Sequence, residues 1–211
     1  MSEFVNTIEL LGDDAVADSI INRSITEFKD DKITEIGLQA FGNCVNLKEI
    51  DCPKVTKTDM SFFKCTGLLS VNLPELIDAG NETFSLCSGL LDIYIPKIKK
   101  IGRYCFQNCS LLTNISMPEI ETIDTLAFNN CSELALTSLP SSLKSLSSEA
   151  FTNCGGLVSL TFEGKPTSIA SNAFSRCYNL KTINVPWAEG EVANAPWGAT
   201  NATINYNYTG G

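Results

Sequence analysis

Cysteine is the residue type in this chain with the most varied chemistry, because a thiolate can attack electrophiles, pair in disulfides or bind a metal ion. The chain has nine cysteines and no histidine. Without histidine, Ser-His-Asp and Cys-His catalytic systems and ordinary histidine metal sites are excluded. The cysteines also lack the C-x-x-C pairs that zinc sites use. We therefore expect no metal site and no cofactor.

Seven of the nine cysteines recur at steps of 21, 22, 22, 22, 23 and 23 residues, and a phenylalanine stands three residues before each of them. These fourteen residues are Phe41, Cys44, Phe62, Cys65, Phe84, Cys87, Phe106, Cys109, Phe128, Cys131, Phe151, Cys154, Phe174 and Cys177. A fixed period in this range is typical of a solenoid, in which equivalent residues of successive coils stack in columns. We therefore assign the fourteen residues to the structural core, and we expect all nine cysteines to be buried free thiols that act as small hydrophobic side chains. Disulfides between stacked cysteines are the alternative, since strands about 4.8 Å apart bring Cα atoms within bridging range.

Each period contains the pattern L-x-x-I-x-I, as in Leu90-Leu-Asp-Ile-Tyr-Ile95. Its end alternates apolar and polar residues, as a half-buried strand does, and a proline that ends the strand usually follows. The strands are predicted to start at Ile25, Leu47, Leu68, Leu90, Leu112, Leu134, Leu157 and Leu180. The rest of each period returns through short or irregular structure. The sequence thus predicts a single solenoid of about eight coils of 21–23 residues.

The two ends of the chain depart from the period. Residues 1–20 are predicted to form an N-terminal cap, in which Asp13 or Asp14 caps a short helix over residues 15–20. Residues 21–186 are predicted to form the solenoid, and residues 187–211 a C-terminal cap. In this second cap we expect Trp187 and Trp197 to cover the last coil and residues 203–208 to add one more strand.

The repeated unit L-x-x-I-x-[ILV]-P-x-[IV]-x-x-I-G-x-x-A-F-x-x-C resembles the BspA-type leucine-rich repeats, over roughly residues 21–186. The resemblance implies a curved α/β solenoid with a parallel sheet on its concave face. It also implies a bacterial cell-surface or secreted protein that makes adhesive or other protein–protein contacts, often with host or matrix components. Both termini are similar to those of short members from gut bacteria and their prophages. A receptor-recognition or structural component of a phage particle is therefore the alternative function.

Alternate residues of the predicted strands form two rows on the concave face. The first row is Glu27, Glu49, Ser70, Asp92, Asn114, Leu136, Ser159 and Thr182, and the second is Lys29, Asp51, Asn72, Tyr94, Ser116, Ser138, Thr161 and Asn184. These side chains present hydrogen-bond donors and acceptors on a rigid sheet, and Tyr94 is a candidate anchor for a partner. The predicted binding residues are Glu49, Asp51, Ser70, Asn72, Asp92, Tyr94, Asn114, Ser116 and Thr161. A solvated face without a partner is the alternative interpretation.

The carboxylates of these rows also raise the possibility of glycan hydrolysis. That chemistry needs two carboxylates about 5–10 Å apart around a deep cleft, and Glu49, Asp51 and Asp92 are the candidates. A regular solenoid offers a shallow concave surface instead. We therefore expect a non-enzymatic module whose ligand is a protein or a glycoconjugate.

The charge and hydrophobicity of the chain further limit the classes of partner that we expect. The net charge is −9 and there is no Lys/Arg cluster, so we expect no binding to nucleic acid. No apolar run approaches the 18 or so residues of a membrane span, and residues 1–14 do not read as a signal peptide. Seven asparagines stand in N-x-S/T sequons, including Asn108 and Asn130, which we interpret as a by-product of Asn- and Ser-rich turns.

Overall fold

A computed structural model of the protein describes residues 25–210. The predicted N-terminal cap, with its helix over residues 15–20, lies outside the described residues. Between residues 25 and 210 the chain winds into a solenoid of short strands that all pair in parallel, each with the equivalent strand of a neighbouring coil. The solenoid and its parallel strands confirm the predicted fold class. The return arms of these residues contain two-residue strands and turns instead of helices.

One wall of the solenoid, here called the front wall, carries the longer strands and corresponds to the face predicted to be concave. Its first sheet has four strands in coil order: β1 (Glu27–Lys29), β3 (Glu49–Asp51), β5 (Ser70–Asn72) and β7 (Asp92–Tyr94). Its second sheet also has four strands in coil order: β10 (Ser138–Leu139), β12 (Ser159–Phe162), β14 (Thr182–Asn184) and β15 (Thr203–Asn205). The strand predicted to start at Leu112 is absent, so that prediction is wrong and the front wall is interrupted there.

The opposite wall, here called the back wall, is one continuous seven-stranded sheet that was not predicted from the sequence. Its strands are β2 (Glu35–Ile36), β4 (Lys57–Thr58), β6 (Asp78–Ala79), β8 (Lys100–Ile101), β9 (Thr122–Ile123), β11 (Ser145–Leu146) and β13 (Ser168–Ile169). The second residue of each strand points into the core and the first faces out. Strands of two residues are too short to show the alternation by which a strand is recognised in a sequence.

The core between the two walls is built from columns of identical side chains. The rings of Phe41, Phe62, Phe84, Phe106, Phe128, Phe151 and Phe174 stack in one file, with successive centroids 5.1 to 5.5 Å apart and ring planes within 14° of parallel. Each ring is at most 1% exposed, and the leucines that begin the strand pattern are equally buried. Because every coil covers the apolar edge of its neighbour, burial is shared along the whole stack.

At the C-terminal end, aromatic rings cover the last coil. Trp187 and Trp197 are buried and contact each other, with centroids 6.3 Å apart, and Phe162 packs against both rings. The indole Nε1–H of Trp197 donates to the carbonyl oxygen of Ala193 at 2.8 Å. Strand β15 pairs with β14 within the predicted range of residues 203–208. The boundary of this cap at residue 187 stays a prediction.

Candidate interaction surfaces

The front wall brings most of the predicted binding residues together. In the first sheet, the register aligns Glu49 with Ser70 and Ser70 with Asp92, and it aligns Asp51 with Asn72 and Asn72 with Tyr94. The equivalent residue Thr161 lies in the second sheet, on β12. Asn114 and Ser116 are exposed, but they belong to the coil that forms no strand. The predicted set is therefore divided between two sheets and an irregular segment.

Side chains at the beginning of the front wall are paired with one another. The Lys29 ammonium lies 3.1 Å from a carboxylate oxygen of Glu49 and 3.6 Å from one of Glu27. Its hydrogen bond to Glu49, and then the charge of that carboxylate, raise the pKa of Lys29. The amide of Asn72 donates to the carboxylate of Asp51 at 2.7 Å. These contacts fix the two carboxylates as hydrogen-bond acceptors on the surface.

The outward side chains of strand β7 are not paired in this way. The Tyr94 ring is 54% exposed, and among the described residues neither Tyr94 nor Asp92 has a side-chain hydrogen bond or ion pair. Leu69 and Leu91, which directly precede β5 and β7, are also exposed, and the amide of Leu91 donates to the carbonyl oxygen of Leu69 at 3.0 Å. An exposed aromatic ring on the same strand face as an unpaired carboxylate, with two exposed leucines before the strands, is suited to contact with another macromolecule.

Beyond Tyr94 the backbone ladder of the front wall stops. Among the described residues, no backbone hydrogen bond joins residues 92–95 to residues 113–117, whereas the preceding coils are joined along this whole stretch. The amide of Ala135, which donates to Thr113 at 2.8 Å, is the link from residues 113–117 to the following coil. The back wall continues past this point through the pairing of β8 with β9. The interruption is therefore confined to the front wall.

The coil that follows the missing strand departs from the repeat pattern. The pattern L-x-x-I-x-I requires an apolar residue three positions after Leu134, but Thr137 stands there and Leu136 precedes it. Leu136 was predicted to face outward, and this is wrong, because the side chain is only 5% exposed and Thr137 is exposed instead. A shift by one residue turns each side chain to the other face of a strand, so residues 135–137 cannot extend β10, although Ser138 and Leu139 keep their register with β12. The resulting cleft has a volume of about 360 Å³ and is lined by residues 114–118, 136–138, 140–141 and 163.

A second surface, here called the rim, is formed by the turn around each Phe-x-x-Cys sequence. The residue directly before the cysteine has a positive φ in all seven coils, and it is an asparagine in four of them. Asparagine adopts this left-handed conformation more readily than other residues that carry a Cβ atom. The side chains of three of these asparagines are joined, since Asn130 donates to Asn108 at 3.0 Å and Asn153 donates to Asn130 at 2.8 Å. The amides of the Asn108 and Asn130 sequons therefore have a structural role in these turns.

The nine cysteines lie in the core as buried thiols that form no disulfide. Six of them donate a hydrogen bond to the carbonyl oxygen of the phenylalanine in the preceding coil, which was not predicted from the sequence. The Sγ–O distances range from 2.9 Å for Cys65 to Phe41 and Cys177 to Phe151 to 3.1 Å for Cys109 to Phe84. Burial is the main cause of the raised thiol pKa values, which reach about 12 for Cys65 and about 11 for Cys177. Such thiols are poor nucleophiles and poor metal ligands.

Metal and membrane sites were also considered for the part of the chain that the structure describes. Residues 25–210 contain no group of three or more Cys, Asp or Glu side chains placed to hold a metal ion. None of these residues belongs to a helix that is long and apolar enough to cross a bilayer.

The stacked Phe and Cys columns and the two parallel walls define a leucine-rich-repeat solenoid. The BspA type leucine rich repeat region matches this chain in six copies over residues 12–135 and 99–194, so the chain belongs to that family. Proteins with this fold generally serve protein–protein interaction, and members of the family are typically not enzymes. No curated protein matches the sequence.

Solved structures of bacterial leucine-rich-repeat proteins are similar to this chain. The T. pallidum leucine rich repeat protein is 29% identical with a TM-score of 0.64, and the match covers 70% of this chain and 72% of that one. A leucine-rich repeat protein from Bacteroides ovatus is 16% identical with a TM-score of 0.44 and coverages of 86% and 68%. A leucine rich cell surface protein from Faecalibacterium prausnitzii is 18% identical with a TM-score of 0.47 and coverages of 76% and 65%.

Proposed function

We propose that this chain is a non-enzymatic adhesion module, which binds a protein partner on the front wall around strand β7. The observation that carries the proposal is the exposed ring of Tyr94, which shares one face of β7 with the unpaired carboxylate of Asp92, while the exposed Leu69 and Leu91 precede β5 and β7. Interface hot spots are enriched in tyrosine and are surrounded by contacts that exclude water. The family resemblance to bacterial surface proteins supports a partner on a host cell or in its matrix.

The charge of the front wall indicates what kind of protein surface it accepts. Glu27, Glu49, Asp51 and Asp92 lie in the first sheet, where Lys29 is the basic residue of β1, β3, β5 and β7. A partner with basic side chains would be attracted to this end of the wall and oriented by it, since complementary charge raises the association rate. We therefore expect a partner segment that combines basic residues with an apolar contact to Tyr94.

The paired carboxylates weigh against the hydrolytic alternative. Glu49 is held by Lys29 and Asp51 by Asn72, so both are occupied as acceptors in an open wall. A glycosidase instead needs one carboxyl group with a raised pKa in a cleft, opposite a second carboxylate. The arrangement thus supports recognition over catalysis.

The experiment compares Tyr94→Ala with Ile77→Ala, which removes an exposed apolar side chain from the back-wall side. The full chain and both variants are tested by surface plasmon resonance on a panel of purified extracellular-matrix proteins. We expect Tyr94→Ala to weaken binding by a factor of ten or more, as the loss of a hot spot of about 2 kcal/mol does, and Ile77→Ala to leave it unchanged. Equal effects of the two substitutions, or binding that survives changes along both front-wall rows, would contradict the proposal.

A further inference from the structure

The rim carries a groove that lies apart from the front wall and runs along the solenoid axis. It has a volume of about 640 Å³ and crosses five successive coils, from Ser88 to Asn179. Its floor is formed by amide and hydroxyl side chains of Asn108, Asn130, Asn153 and their neighbours. No carboxylate lines the groove, and Arg176 is its charged residue, although the chain as a whole has a net charge of −9. The groove is thus chemically distinct from the acidic front wall.

The amide groups of the groove are held in fixed positions. The backbone amides of Asn108 and Asn130 donate to the carbonyl oxygens of Asn129 and Thr152 in the next coil at 2.8 and 2.9 Å. The side-chain bonds from Asn153 to Asn130 and from Asn130 to Asn108 orient the amide planes. Each bonded amide NH₂ keeps a second hydrogen, and each oxygen keeps a second lone pair. A ligand therefore meets a preorganised row of donors and acceptors and loses little free energy in ordering them.

An exposed aromatic ring stands at one end of the row. The Tyr178 ring is 62% exposed, and its backbone carbonyl oxygen accepts hydrogen bonds from the side chains of Lys181 at 2.8 Å and Asn201 at 3.0 Å. The face of an aromatic ring is apolar and negative, and it attracts weakly positive C–H groups. A pyranose ring offers such a C–H face together with a girdle of hydroxyl groups, which are both donors and acceptors. Amides, hydroxyls and one exposed ring are therefore the chemistry that recognises a sugar.

The distance between successive coils indicates which glycosidic linkage would let a sugar chain fit the groove. Along the groove, the rings of Phe106, Phe128 and Phe151 report a repeat of 5.1 Å per coil. This is close to the rise per sugar of an extended β-1,4-linked pyranose chain. Such a chain lying along the rim would present one sugar to each coil, and because neighbouring sugars are flipped relative to one another, the same contacts would repeat at every second coil. A β-1,3-linked chain curves into a wide helix and cannot keep this register.

We propose that the rim groove binds an extended β-1,4-linked oligosaccharide, with one end sugar stacked on Tyr178 and the following sugars hydrogen-bonded to the Asn108–Asn130–Asn153 row. The site is separate from the front wall, so the chain holds two recognition surfaces. One surface would bind a protein and the other a polysaccharide.

The test measures binding of cellohexaose and chitohexaose to the full chain by isothermal titration calorimetry, with laminarihexaose as the β-1,3-linked control. We expect at least one β-1,4-linked hexasaccharide to bind with a Kd below about 1 mM and laminarihexaose to bind at least ten times more weakly. Tyr178→Ala should weaken the β-1,4-linked ligand at least tenfold. The matched control Tyr94→Ala, an exposed tyrosine of the front wall, should leave it unchanged.

Since Tyr178 is exposed, its removal is not expected to disturb folding, and the thermal unfolding curve of Tyr178→Ala should overlay that of the parent chain. The proposal is overturned if neither β-1,4-linked hexasaccharide binds, or if laminarihexaose binds equally well. It is also overturned if Tyr178→Ala binds like the parent chain, or if Tyr94→Ala loses as much affinity as Tyr178→Ala. Failure of the front-wall proposal would not affect any of these outcomes.

Discussion

The repeated cysteine has a function that neither alanine nor valine could perform. Its side chain is small enough for the column beside the phenylalanine rings, and its S–H group reaches the phenylalanine carbonyl oxygen of the preceding coil at about 3 Å. That oxygen also accepts the backbone N–H of the cysteine in its own coil. The thiol thus adds one hydrogen bond between coils without placing a strongly polar group in the core.

Buried thiols predict a loss of stability at alkaline pH. Burial raises the pKa of Cys65 to about 12 from an ordinary value of 9.0. The unfolded chain therefore loses its thiol protons at lower pH than the folded chain. The stabilisation is complete below pH 9, and it is lost as pH rises from there towards 12. Near pH 10 each such thiol should lower the free energy of unfolding by up to about 1.4 kcal/mol per pH unit.

Urea unfolding of the parent chain and of Cys65→Ala between neutral and alkaline pH tests this prediction. The variant should be less stable at neutral pH, because it lacks the thiol and its bond to Phe41, but its stability should fall less steeply with pH. Identical slopes for the two proteins would show that this thiol ionises equally in both states.

The left-handed turn before each cysteine predicts a stabilising substitution. Leu86 occupies this position with a φ of 64°, whereas the equivalent residue is lysine or arginine in two of the other six coils and asparagine in four. Leu86→Asn should raise the free energy of unfolding by roughly 0.5–1 kcal/mol, because asparagine bears the left-handed conformation at lower cost and its amide can join that of Asn108. Leu86→Ala keeps the strained conformation and removes the side chain, so it should be destabilising. A Leu86→Asn variant no more stable than Leu86→Ala in urea would refute this explanation.

At the scale of the element, we infer that two adjacent residues contribute to the front-wall interruption. Leu136 turns into the core and Thr137 turns out, so these two residues are out of phase with the pattern, whereas Ser138 and Leu139 keep it. The double substitution Leu136→Asn/Thr137→Ile places a polar residue at the outward position and an apolar residue at the inward one. It thereby restores the pattern L-x-x-I-x-[ILV]. We expect the double variant to complete the ladder and to slow hydrogen exchange of the amides at residues 114–116. Unchanged exchange in that segment would mean that the cause lies elsewhere in the coil.

Several elements of the fold were predictable because they repeat. The period placed the Phe and Cys columns and seven of the eight front-wall strands, since each coil repeats the same burial pattern. The back wall was not predictable, because strands such as Lys100–Ile101 contain a single inward residue. The orientation of Leu136 was predicted wrongly, since the pattern was applied to a coil in which the middle apolar residue is displaced by one position. The hydrogen-bonded row of Asn108, Asn130 and Asn153 was not predictable, because it depends on side-chain geometry that the sequons do not show.

At the scale of the whole molecule, coupling between neighbouring coils sets the response to core substitutions. Phe106 stacks between Phe84 and Phe128, so Phe106→Ala should lower the free energy of unfolding by roughly 3–5 kcal/mol and shift the whole transition. Trp197 is equally buried but lies at the C-terminal end, against Phe162 and Trp187. Trp197→Ala should therefore unfold the last coils first, in a separate early transition. Urea melts followed by circular dichroism would distinguish the two patterns, and a single shared transition for both variants would contradict nearest-neighbour coupling.

The central claim is that the coils are held together by the ring column, the rim and the back wall, while the middle of the front wall is open to a partner. Hydrogen exchange of the isolated chain, followed by mass spectrometry, tests this most directly. The amides of Phe106 and Phe128, which donate to Ala127 and Ala150 at 2.7 and 2.8 Å, should exchange slowly, whereas those of residues 114–116 should exchange fast. Residues 114–116 protected as strongly as Ser70–Asn72 of β5, or rim amides that exchange freely, would contradict the account.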